Sequence, residues 1–205
     1  MSNARRSRGS RRGYTAVELM MAIAMFGIGV VGVISLQKVT AVSNQHAKNL
    51  AIATHIAESW MDMLSTDAVT WNHPGRTGGT VPDIGNTAWL SNVTTNANAK
   101  TNWFFPAWSD TLAFGPAFDA LGNPVNPATN AAAVAFCSHL RLSWLYQPTA
   151  SGNGLIRAEV RVFWLKDGQG FAQNMCSAGQ VTNVGGATQT FHFVQKISAI
   201  RENDQ

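Results

Sequence analysis

A chain of 205 residues can hold one globular domain with appended segments. Its apolar fraction, 45%, is ordinary, but only 13% of its residues are charged, against roughly 25% in typical soluble domains; that suits an exported or assembled protein better than a cytosolic enzyme. Five of the fifteen basic residues (Arg5, Arg6, Arg8, Arg11 and Arg12) and none of the eleven acidic ones precede Gly13. The net charge of +4 therefore resides in the first thirteen residues, and the rest of the chain is close to neutral. The basic, aromatic-laced face of a nucleic-acid binder is missing, and no nucleic-acid partner is expected.

Behind the basic leader, residues 19–36 (LMMAIAMFGIGVVGVISL) form an uncharged apolar run. It is long enough for a membrane helix and too long for a typical signal-peptide core. Arginines on its N-terminal side favour a cytoplasmic leader and export of the remainder. No small-x-small cleavage site follows residue 36. The pairs Arg5-Arg6 and Arg11-Arg12 raise a twin-arginine export signal as an alternative, against which the length of the core and Glu18 just before it both count. Glu18 is the oddity. A charge at mid-bilayer costs about 2.5–3.5 kcal/mol, and less near the interface. Either it snorkels to water, or it awaits a cation inside an apolar assembly.

The string Arg12-Gly13-Tyr14-Thr15-Ala16-Val17-Glu18-Leu19 resembles the leader junction of type IV prepilins: basic leader, Gly, aromatic residue, Glu at the fifth mature position, then a long apolar helix. Tyr14 stands where Phe is commoner, and Ala16-Val17 replaces the usual Leu-Ile/Val. The resemblance implies cleavage between Gly13 and Tyr14 by a membrane-embedded prepilin peptidase, which also N-methylates Tyr14. It implies that Glu18 pairs with a neighbouring subunit's terminal ammonium in the fibre core, where an unpaired charge is strongly unfavourable. The implied partners are that peptidase, other major and minor pilins, and the inner-membrane assembly platform. The implied location is the inner membrane, as a single-pass protein, and then the pilus at the cell surface. No Pro interrupts the chain between Tyr14 and His73, and GIGVVGVISLQ is similar to the end of the apolar segment in PilV-type minor pilins and to I-type minor pseudopilins of type II secretion. A structural minor pilin is thus the expected function, with a minor pseudopilin as the alternative and a membrane-anchored periplasmic binding domain as a third reading.

Beyond the apolar run, Val39, Val42, His46, Leu50, Ala53, Ile56, Trp60 and Met63 recur at steps of three and four, predicting one helix from about residue 15 to 65. At 1.5 Å per residue it would be about 75 Å long, half in the membrane and half packed on a head domain. Residues 67–135 are rich in Gly, Asn, Thr, Pro and Ala, with turn signals at 72–75, 78–79, 82–83 and 122–124. So long a stretch should contain some structure of its own. The aromatic cluster at 103–108 is expected to anchor it to the core, with a surface adhesive patch as the alternative. A sequon-like Asn92-Val93-Thr94 carries little weight.

Three strands follow. In the first, Leu140, Leu142, Trp144 and Tyr146 alternate with His139, Arg141 and Ser143. In the second, Ile156, Ala158, Val160, Val162 and Trp164 alternate with Arg157, Glu159 and Arg161. The third spans 190–200, with Phe191, Phe193 and Ile197 on one side. Turns at 152–154 and 166–170 make this an antiparallel meander with one buried face. The predicted class is α+β, the pilin fold: a long N-terminal helix, half transmembrane and half amphipathic, packed on a C-terminal β-meander. The predicted organisation is a cleaved leader at 1–13, the helix at 14–66 with its membrane segment at about 19–36, and a periplasmic or extracellular head at 67–205.

The two cysteines, Cys137 and Cys176, lack CxxC spacing and do not read as zinc ligands. The meander puts them at neighbouring strand ends, so in the oxidising periplasm they can bridge; two buried free thiols are the other reading. The five histidines lack HxxxH or HExxH spacing, and no nucleophile elbow, phosphate loop or dinucleotide fingerprint occurs. No catalytic residue, metal or cofactor is assigned, and no enzyme is expected.

Overall fold

The computed structural model describes residues 13–71, 83–93, 103–149, 152–166, 176 and 191–202. The leader arginines, the turn signals at 72–75 and 78–79, Thr94 of the sequon, the glycine-rich turn at 167–170 and Thr190 lie outside these residues. The fold is α+β: one N-terminal helix α1 (Ala16–Asp67) and a five-stranded antiparallel sheet made by β1 (Ala117–Phe118), β2 (Pro124–Val125), β3 (Phe136–Tyr146), β4 (Leu155–Leu165) and β5 (Phe191–Arg201). The chain divides into two compact units, Met1–Ala47 and Lys48–Gln205.

In the first unit every described residue is exposed. The helical part is long and apolar enough to cross a membrane. A Cβ added at Gly27, Gly29 or Gly32 would meet nothing within 4 Å, so packing inside this chain does not demand glycine at any of the three.

The second unit is built around the last turns of α1. Ala53, Ile56, Ala57, Trp60, Met61 and Leu64 form the buried helix face, packed with Leu140, Leu142, Ile156, Ala158, Val160 and Val162 from the sheet. Trp60 is the hub: its ring meets Trp89 and Phe114 edge-on, with centroids 5.1 and 4.8 Å apart, the arrangement the aromatic quadrupole favours. The predicted stripe is therefore buried only from Ala53 onward. Val39, Val42 and Leu50 are exposed, because helical period marks a face without saying how far along it a partner extends.

The sheet order is β2-β1-β3-β4-β5, and β3, β4 and β5 form the predicted meander, with Leu140 opposite Val160 and Val160 opposite Lys196. Residues 67–135 supply short 3-10 turns (Ala68–Thr70, Asp83–Asn86, Leu90–Asn92 and Ala131–Ala133) and the two short strands. Two strand expectations need correction. A register shift between Trp144 and Tyr146 leaves Tyr146 exposed rather than on the core face. In β5 the core side carries Val194 and Ile200, while Phe191, Phe193 and Ile197 share the other side; Phe193 and Ile197 are about half exposed, as an edge strand with one neighbour allows.

The expectation of a single buried face also fails. On the side of β3 and β4 away from the helix, Cys137, His139, Glu159, Arg161 and Phe163 are all buried. Two covers explain this. The backbone of Phe104 exchanges hydrogen bonds with that of Leu140 (2.8 and 3.0 Å), so alternation sends Phe104 into the main core and its neighbours Trp103 and Phe105 over the outer face. The predicted aromatic anchor is thus a clasp on both faces of β3. At the other end, Ala117, Val134, Cys137, Phe163 and Phe191 form a second apolar cluster against which Cys176 packs.

Candidate functional site

At the N-terminal junction, residues 13–15 are non-helical and the helix starts at Ala16. Thr15 is the residue that ends it. Its carbonyl accepts the Leu19 N–H (3.2 Å), and its Oγ1 accepts the Glu18 N–H (3.3 Å), the arrangement of an N-cap satisfying an otherwise orphaned helix donor. Thr15-x-x-Glu18 is the spelling of a capping box, in which the glutamate reaches back to the cap residue's own N–H. Here that return bond is not made: among the described residues the Glu18 carboxylate has no hydrogen bond or ion pair. Gly13 sits in open space, where an added Cβ would meet nothing within 4 Å, and its φ lies outside the left-handed region. Tyr14 is 86% exposed. Gly13, Tyr14 and Glu18 thus lie on one short exposed stretch, and no packing among the described residues accounts for them.

Cys137 and Cys176 are joined in a disulfide with their Cα atoms 5.6 Å apart. It ties the start of β3 to the connection between β4 and β5. Closing a loop of sequence separation 39 contributes about 4 kcal/mol on the chain-entropy account.

The buried polar groups of the outer sheet face are the residues that sequence reading placed on strands but did not bring together. Glu159 on β4 accepts from Arg141 on β3, from Arg157 Nε (3.0 Å) and from Gln195 Nε2 on β5 (2.9 Å), so one carboxylate stitches three strands. Arg161 Nη2 donates to His139 Nδ1 (2.9 Å), which puts the proton of the neutral imidazole on Nε2. The ring of Trp103 lies 4.8 and 4.5 Å from the guanidinium carbons of Arg141 and Arg161, within cation–π range. Burial first, and then the charge of Arg161, push the His139 pKa down to about 3. Burial and Arg141 lower Arg161 to about 10, so it stays charged at neutral pH. His139 is fully buried and its one lone pair is occupied, which removes it as a general base. This network is structural.

Asp67 was also missed. It is buried at the end of α1, and its carboxylate accepts three backbone N–H groups, from Ala88 (2.7 Å), Trp89 (2.9 Å) and Leu90 (3.1 Å). That grip holds the 87–90 segment on the helix and seats Trp89 against Trp60. No local pattern in the sequence signals a pairing across more than twenty residues. The Thr15 cap, by contrast, was readable from T-x-x-E.

Among the described residues no group of three His, Cys, Asp or Glu side chains is placed to hold a metal ion. The chain matches no protein-family model, no curated protein and no solved structure.

Proposed function

We propose that this chain is a type IV pilin-like assembly subunit of the minor-pilin type. A prepilin peptidase removes the basic leader between Gly13 and Tyr14 and methylates Tyr14. The apolar part of α1 then holds the subunit in the inner membrane until it packs among other pilins on the assembly platform. The observation that carries this reading is the unexplained junction: a glycine with no steric reason to be glycine and a carboxylate with no partner among the described residues, at the mouth of an exposed apolar helix. A peptidase subsite demands the first; a neighbour's new ammonium engages the second. Pairing selects register more than it adds affinity, since a buried charge is tolerated only when matched. One long N-terminal helix with a C-terminal antiparallel sheet is the arrangement expected of the pilin fold and supports the same reading. The glycines at 27, 29 and 32 permit close approach of neighbouring helices.

Mass spectrometry of protein taken from membranes or filaments should find a chain beginning at N-methylated Tyr14. Glu18→Ala should be cleaved and membrane-bound yet enter fibres poorly. A retained leader, together with normal behaviour of Glu18→Ala, returns the chain to a simple tethered domain. The similarity of GIGVVGVISLQ to I-type pseudopilins keeps a type II secretion fibre as the second reading; filament imaging and secretion assays on cells lacking the protein separate the two.

A further inference from the structure

We infer that the outer edge of β5 is a docking edge for an extended strand of another protein, apolar along most of its length and acidic at one end. The inference concerns the C-terminal unit alone and stands apart from leader processing. A sheet edge offers a row of backbone N–H and C=O groups, and proteins blunt such edges with short strands, Pro, bulges or lysine. The two edges of this sheet differ in that respect. β2 is two residues long and begins with Pro124, so it offers little to pair with. β5 is eleven residues long and has no Pro. It pairs residue for residue with β4, from Leu155 opposite Arg201 to Leu165 opposite Phe191. Its mid-strand lysine does not guard it, because Lys196 Nζ is drawn to Glu58 Oε1 on α1 (3.1 Å). Among the described residues, 193–199 have β4 as their one strand neighbour. Phe193, Gln195, Ile197, Ser198 and Ala199 are exposed.

The side chains beside that edge specify the occupant. On the face of β5 away from the helix, Phe193 and Ile197 are 49% and 52% exposed, and Ala199 and Arg201 follow them. Ala199 is small and lies opposite Arg157 on β4, whose side chain is 44% exposed, so two arginines border this end of the edge. β5 has no carboxylate. Glu159, the one carboxylate of β4, is engaged by Arg141, Arg157 and Gln195. Glu202, just past β5, is buried and accepts the Gly154 N–H (2.6 Å). The edge is therefore apolar in its first half and basic at its end. Every strand pair in the sheet is antiparallel, and a strand added in the same sense sets its alternate side chains beside these. Carboxylates near its start meet Arg201 and Arg157, and apolar side chains after them meet Ile197 and Phe193. A second β5 brings no carboxylate to that end, so charge complementarity favours a different chain.

The test uses the full-length protein in detergent micelles and a fluorescent peptide probe. The probe has threonine at every second position and, between the threonines, two glutamates followed by three valines. Binding should be saturable and should slow amide exchange in β5. Lysines in place of the two glutamates should weaken binding by roughly fivefold, the scale of cross-strand pairs turned from attractive to repulsive, and Arg201→Glu should reverse that preference. A probe N-methylated at alternate amides, which cannot pair along an edge, should not bind. Ile197→Lys places a charge on the edge outside the core; it should weaken binding by a similar factor and leave the unfolding transition where it is. Absence of saturable binding, equal binding of the N-methylated probe, or a preference that Arg201→Glu leaves unchanged overturns the inference. Concentration-dependent self-association that protects the same β5 amides also overturns it, and makes a second copy the occupant.

Discussion

In Met1–Ala47 the side chains of Phe26 and Ile28 are 74% and 76% exposed, whereas in Lys48–Gln205 those of Ile56 and Trp60 are 1% and 0% exposed. Both pairs sit on the same helix and have similar chemistry. The second pair has its partners in this chain, supplied by the sheet and by the segments around Trp89 and Phe114. The first has none among the described residues, and an apolar run of that length facing outward is long enough to be covered by lipid or by other protein surfaces. Composition alone therefore does not tell a core helix from a membrane or assembly helix. What decides is whether the rest of the chain carries a complementary apolar face.

The sharpest way to break this comparison is to truncate one residue from each unit in the full chain in detergent micelles. Trp60→Ala should lower the unfolding free energy of the C-terminal unit by about 3–5 kcal/mol, as for large aromatic-to-Ala changes in a core. Phe26→Ala should leave that transition unmoved and weaken membrane partition instead. A large loss of unfolding stability from Phe26→Ala would mean that residue has a partner inside the chain.

Next in size is the disulfide. Paired Cys137→Ser and Cys176→Ser substitutions should cost about 4 kcal/mol in denaturant unfolding, and thiol reductant should produce the same loss in the wild type but none in the variant. No effect in the first unit is expected from either treatment.

The smallest effect is a pH dependence confined to the C-terminal unit. The unfolded chain protonates His139 near 6.5, whereas the folded chain resists until about 3 because of burial and Arg161. Stability from this group is complete above pH 6.5 and declines as pH falls through the window from 6.5 to 3. At pH 5 the loss should be about 2 kcal/mol relative to pH 8. His139→Gln, which does not titrate, should flatten that part of the profile, and an unchanged slope would remove His139 from the account. Protonated His139 cannot accept from Arg161, so faster amide exchange at Phe104 and Leu140 should accompany the loss.

How much was legible beforehand follows the reach of the physics involved. The helix, the three long strands and the adjacency of the two cysteines are written in local periods and turn residues, which depend on neighbours a few positions away. The Thr15-x-x-Glu18 spelling of a helix start is equally local. Burial of the outer sheet face was not legible. Arg141, Glu159 and Arg161 alternate with apolar residues as solvent-facing charges do, and among the described residues the 103–105 clasp, brought from more than thirty residues away, covers Arg141, Arg161 and His139.

The sequence by itself determined that a cluster of arginines precedes an uncharged run of membrane length, and that a long helix is followed by an antiparallel meander, because charge order, hydrophobic length and period are properties of consecutive residues. Only the tertiary structure decided where along α1 burial begins, that Asp67 grips the 87–90 backbone, that both faces of β3 are covered, and that the Glu18 carboxylate is unclaimed by its own cap. Each of those depends on which distant surface arrives to complete a contact, and solvation of a group is settled by everything around it rather than by its place in the chain.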